Sequence, residues 1–170
     1  GTGLITYAHQ LGARISVVTE PSTVSARLKT LTDVTWIAFN DKAAVEKAVA
    51  AAHAVVTATG VASAATYAAD ARAYTESRAL LANMGVEDEY GPGVPASRVL
   101  EEKRPLNFIL TEPTLMKYID ATMALHNAGA LWLTGHPEAH GVIDPPAELE
   151  AAILADTRAG GLLGEELDLI

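Results

Sequence analysis

The stretch Gly1–Glu20, GTGLITYAHQLGARISVVTE, decides how the rest of the chain is read. Leu4 to Leu11 carries apolar residues at helical spacing, and Gly12 is the residue type that closes such a helix. Arg14 to Thr19, RISVVT, is short and β-branched, which predicts a strand. The helix opens on two glycines, Gly1 and Gly3, and the strand ends on an acid, Glu20. Helix and strand in that order begin an alternation that continues downstream.

Ser22 to Thr30 reads as a helix with Ser22 or Thr23 at its cap, and Thr35 to Phe39 as a second strand. DKAAVEKAVAAAH, Asp41 to His53, predicts a capped amphipathic helix, and Ala54 to Gly60, AVVTATG, a third strand running into a glycine turn. Ala62 to Ala73 is expected to be helical, Ala79 to Gly85 a fourth strand and Leu106 to Leu110 a fifth. A long apolar helical pattern covers Thr114 to Trp132, and Pro145 and Pro146 precede a last helix over 147–158. Strands alternating with helices of these lengths imply βαβ units around a parallel sheet, an α/β fold. Residues 1–135 are expected to form that domain and residues 136–170 a C-terminal loop and helix extension.

Twelve Lys plus Arg stand against 21 Asp plus Glu, a formal net charge of −9 over 170 residues. Such a surface repels phosphate backbones, so neither nucleic acid nor an anionic membrane is the expected partner. A small-molecule ligand held by local backbone dipoles remains compatible with it. The absence of cysteine rules out a disulfide scaffold, a Cys metal site and a Cys nucleophile, and fits a reducing cytoplasm. Apolar runs are broken well short of the ~20 residues a membrane span requires. No basic region leads an apolar run, as a signal peptide would need.

In a dinucleotide-binding βαβ unit a strand feeds a Gly-x-Gly-x-x-Gly turn, and the pyrophosphate sits on the next helix's N-terminus. An acid about 20 residues on then binds the ribose hydroxyls. Gly1 fits the last glycine of that fingerprint, Gly3 a position inside the helix for close packing on the sheet, and Glu20 the acid. A carboxylate there would repel a 2′-phosphate, so NAD is favoured over NADP. The fold expected is therefore a Rossmann-like, doubly wound parallel sheet lacking its first strand in this chain. That strand belongs in mid-sheet, between the strands ending at Thr19 and at Gly60, whose backbone and apolar faces its absence exposes.

At VVTATG (Val55–Gly60) and LLANMG (Leu80–Gly85) the chain resembles the cofactor-binding domain of the S-adenosylhomocysteine hydrolase family. GARISVVTE is similar to that family's GARV-like strand, Val56-Thr57-Ala58-Thr59-Gly60 to its VTTTGN-like turn beside the nicotinamide half of NAD, and Asn83 to Asp88 to its Asn-x-Gly-His-Phe-Asp motif. PLNFIL resembles its LVNLG strand. The resemblance implies Thr57, Thr59, Gly60, Asn83 and Gly85 around the cofactor, and Asn107 near the nicotinamide carboxamide. It also implies a homo-oligomer and a hydrolase in one-carbon metabolism that transiently oxidises a ribose hydroxyl. This chain departs from the pattern: Val86 stands where the family has an active-site histidine, Thr114 roughly where it has a second, and Val61 replaces a cofactor-contacting Asn. The family's C-terminal Lys and Tyr have no counterpart in GGLLGEELDLI. A divergent relative is implied.

Asp88, which keeps the family position, and His126, an imidazole able to titrate near neutral pH, are the candidate acid–base groups. Glu87 and Glu89 beside Asp88 read by default as a solvated acidic loop. His126, His136 and His140 invite a metal reading, but Pro137 and flanking glycines break the helical spacing, and no metal site is expected. Glu112 is explained by the dipole of the helix it opens. Two other readings stay open. One is a catalytically silent NAD-binding regulatory homologue; the other is a 2-hydroxyacid dehydrogenase-type oxidoreductase using Arg72, Glu87 and His126.

Overall fold

The computed structural model describes residues 1–109 and 116–160; Leu110, Glu112, Thr114 and the segment after Gly160 lie outside them, as do the readings placed there. The chain divides into two compact units, Gly1–Pro113 and Thr114–Ile170.

The first unit is mixed α/β. Helix α1 spans Thr2–Gln10 and ends in a Schellman motif: Gly12 takes φ +77°, its N–H donates to His9 O at 2.9 Å, and Ala13 N–H donates to Ala8 O at 3.1 Å. Strand β1, Ile15–Thr19, pairs in parallel with β2, Val34–Ala38, with Ile15 opposite Val34 and Thr19 opposite Ala38. Between them a 3₁₀ turn over Pro21–Thr23 and a four-residue helix α2, Ala26–Lys29, replace the single helix expected. Pro21 favours the short turn, and Ser25 caps α2 by accepting from Leu28 N–H.

Helix α3, Lys42–Ala51, is capped by the Asp41 carboxylate, which accepts from Ala44 N–H at 3.1 Å. Its Val45 and Val49, one turn apart, are buried in a core shared with Ile37 of β2. Strand β3, Ala54–Thr57, pairs in parallel with β4, Leu80–Asn83, after two short helices, α4 (Ala64–Ala68) and α5 (Ala71–Thr75). Leu81 of β4 lies in the same core as Ile37, so the two sheets share one interior. Tyr74 and Tyr90 meet there edge to face, centroids 5.6 Å apart at 79°, and their hydroxyls donate to Ala65 O (2.8 Å) and Val55 O (2.9 Å).

Two sheets of two strands each, not one continuous sheet, are present among the described residues. The registers turn the N–H and C=O groups of Ile15, Val17 and Thr19 toward β2, so those of Ser16 and Val18 face away from it. In β3 the groups of Ala54 and Val56 likewise face away from β4. Val18 and Val56 remain 36% and 38% exposed. Over 106–109, the described part of the fifth strand expected, no strand forms. Leu106–Phe108 makes a 3₁₀ turn, Phe108 N–H donating to Pro105 O and Ile109 N–H to Leu106 O, and β4 meets instead a single parallel bridge, Leu81 to Val99.

The second unit holds α6, Met116–Thr134, in contact with α7, Ala147–Ala159, so α6 stands with the C-terminal segment rather than with residues 1–113. Among the described residues no helix is long and apolar enough to cross a membrane.

Candidate functional site

One hydrogen bond and one close approach place the two ends of α1 near different strands. At its C-terminal end, His9 Nε2 lies 2.9 Å from the carbonyl oxygen of Thr32, just before β2 begins. At its N-terminal end, a side-chain carbon on Gly1 would lie 4.0 Å from the carbonyl oxygen of Ala58, just after β3 ends. Helix α1 therefore runs from the carboxyl end of one strand to the amino end of another. Its free N-terminal amides stand at the carboxyl end of β3, where open α/β sheets take their ligands. Gly3 does not pack closely on a sheet as expected; a side chain there would meet open space, and α1 buries none of its residues.

Glu20 follows β1 and is exposed, its carboxylate accepting from the Ser22 hydroxyl at 3.1 Å. The Thr23 hydroxyl donates to Glu20 O at 2.8 Å and fixes the backbone beneath it. At the end of β3, Thr57 Oγ1 lies 3.2 Å from Asn83 Oδ1 and 3.5 Å from Ala82 O. Thr59 Oγ1 accepts from Val61 N–H, and Gly60 takes φ +71°, the left-handed conformation that favours glycine.

The acidic loop after β4 departs from the sequence reading. Glu87 is exposed, but Glu89 is 0% exposed rather than solvated. Its Oε1 accepts from Thr59 N–H (2.9 Å) and Gly60 N–H (2.6 Å), and Oε2 lies 3.0 Å from Thr59 N. A side chain on Gly85 would overlap the Glu89 carboxylate, reaching within 2.7 Å of Cδ, so glycine here makes room for the acid. Asn83, 1% exposed, spends its amide on the same loop: Nδ2 faces Gly85 O (3.2 Å), Glu87 O (2.9 Å) and Lys103 O (2.8 Å). Asn83 thus braces the loop with both side-chain polar atoms engaged.

Asp88 is paired with Lys103 at 2.8 Å and accepts from Gly91 N–H at 2.9 Å, while Lys103 Nζ also donates to Gly91 O at 2.7 Å. Lys103 ends a run of three successive left-handed residues, Glu101, Glu102 and Lys103, at φ +48°, +55° and +71°. Asn107 carries the one buried side-chain acceptor without a hydrogen-bond partner among the described residues, its Oδ1. Val86 is 78% exposed.

No protein-family model, curated protein or solved structure matches the chain.

His126 is exposed on α6, in the second unit. His136 stacks on Trp132, centroids 3.9 Å apart, with Nδ1 2.8 Å from Trp132 O. Among the described residues no three His, Asp or Glu side chains converge as a metal site requires. Two surface concavities of about 600 and 720 Å³ lie elsewhere, one beside Glu46, Asp70 and Arg78, the other beside Leu80, Arg98 and Leu100. Glu89 and its partner amides are what sequence reasoning missed. The signal was Gly85 four residues before Glu89, but it carries meaning only once the turn at Thr59 lies opposite.

Proposed function

We propose that the chain is the NAD-binding part of an adenosylhomocysteinase-like enzyme acting on S-adenosylhomocysteine or a related thioether or nucleoside. The observation that carries the reading is the start of α1 beside Ala58. Unpaired helical amides at the carboxyl end of a parallel strand favour a pyrophosphate, through both hydrogen bonding and the helix dipole. On this reading Glu20 accepts from the adenosine ribose hydroxyls, and Thr57 to Gly60 border the second nucleoside. The unpartnered Asn107 Oδ1 is an acceptor of the kind a carboxamide N–H₂ would satisfy. A doubly wound sheet follows if one further parallel strand lies between β1 and β3.

The test is NAD titration of the full-length protein. Glu20→Ala removes charged hydrogen bonds worth about 1.5–3 kcal/mol and should weaken NAD at least tenfold; unchanged affinity refutes the assignment.

A second reading, a catalytically silent NAD-binding homologue, is favoured by Val86 and by the engagement of Asp88 with Lys103. An exposed valine moves no proton, and the Asp88 carboxylate is already engaged by Lys103 and Gly91 N–H. Incubation with S-adenosylhomocysteine separates the two. The enzyme passes through transiently reduced cofactor and releases product; the silent form binds NAD and does neither.

A further inference from the structure

Glu89 is a carboxylate with no exposure, and none of the ion pairs among the described residues includes it. The neighbouring cation, Lys103, is held by Asp88 and Gly91 O. Two backbone amides satisfy Glu89 and none of its partners neutralises it. Burying a charge in this way is costly, and a neutral acceptor could brace the turn as well.

The carboxylate lies directly beneath the turn next to Ala58, and that turn adjoins Gly1 at the head of α1. With the pyrophosphate on α1 and the adenosine toward Glu20, the second nucleoside must extend to the β3 side, over Thr59 and Gly60. The amides there are already spent on Glu89. A phosphate above them would find no donors and a like charge below, whereas a cationic ring would find an attractive field.

We propose that Glu89 is a specificity-determining residue that biases the bound dinucleotide toward its oxidised form, whose nicotinamide ring is positively charged. This rests on the dinucleotide reading and goes beyond it. The carboxylate acts through space on the ring and through its hydrogen bonds on the turn, and only the first action distinguishes NAD⁺ from NADH.

The experiment measures the affinities of the full-length wild type, Glu89→Gln and Glu89→Asp for NAD⁺ and for NADH separately. The wild type should prefer NAD⁺. Glu89→Gln should lose about tenfold of that preference, the order expected when one unit charge near a cationic ring is removed at an effective dielectric of about 20. Glu89→Asp, which keeps the charge, should retain more of it. Equal weakening of both ligands in Glu89→Gln would overturn the proposal and leave Glu89 a brace for the turn. A wild type that prefers NADH, or that binds both equally, overturns it without recourse to a variant. A folded wild type that binds neither removes the dinucleotide reading itself.

Discussion

Replacing Gly85 with alanine places a methyl group in the space of the Glu89 carboxylate, within 2.7 Å of Cδ and 3.2 Å of Cγ. Neither side has room to yield. Glu89 has no exposure, and Asn83 Nδ2 holds the Gly85 and Glu87 carbonyls from beneath. The acid must therefore withdraw from the Thr59 and Gly60 amides. Two hydrogen bonds to a charged group are worth about 1.5–3 kcal/mol each, so the expected loss is about 3–6 kcal/mol. Against the 5–15 kcal/mol typical of a domain, that is a large fraction. Urea unfolding followed by circular dichroism reads it directly. Gly3→Ala is the control: its side chain meets open space inside a helix, and the substitution should raise stability by about 0.5–1 kcal/mol. Because Glu89→Ala empties the contested space, Gly85→Ala should cost much less in that background. A loss below about 1 kcal/mol for Gly85→Ala alone would refute the account of the Glu89 lock.

Burial, followed by the carboxylate of Glu46, pushes the Tyr74 hydroxyl up to about 12, and burial above all raises Tyr90. Both phenols keep their protons in the fold at pH values where the unfolded chain loses them. Their contribution to stability is thus complete below about pH 10 and falls as pH rises toward 12. Denaturant midpoints across that range should decline, with most of the tyrosinate absorbance of these two below pH 12 appearing on unfolding; a flat profile would contradict their burial. Arg98 donates to the carbonyl oxygens of Thr75 (3.3 Å), Ser77 (2.6 Å) and Ala79 (2.9 Å). Arg98→Lys cannot reproduce that fork and should cost about 1–3 kcal/mol in the same unfolding assay; a neutral result would mean that those carbonyls find other donors.

The four strands and the longer helices were legible because each obeys a local rule. Ile15–Thr19 and Val34–Ala38 are β-branched and short, Asp41 caps an amphipathic helix, and Gly12 ends another. The failures share a cause in long-range contact. LNFIL is apolar enough for a strand, but Pro105 and the i to i+3 bonds that follow draw it into a turn, and a short apolar run carries no periodicity to decide between them. Glu87, Asp88 and Glu89 are alike in composition. One is exposed, one is paired with Lys103, and one is buried against amides about thirty residues earlier in sequence. Only the position of β3 beside β4 sorts them. Gly3 does not pack on the sheet as its place in the fingerprint suggested.

Strands β1 and β3 each have one dressed side and one bare side, with alternate consequences along the backbone. Val17 and Val55 direct their amides into a ladder, while Ser16, Val18, Ala54 and Val56 direct theirs out of it. Deuterium uptake along these strands should run on two clocks, slow and fast at every other residue. An extended segment coming to rest alongside would stop the fast clock and leave the slow one untouched, so four amides would announce its arrival.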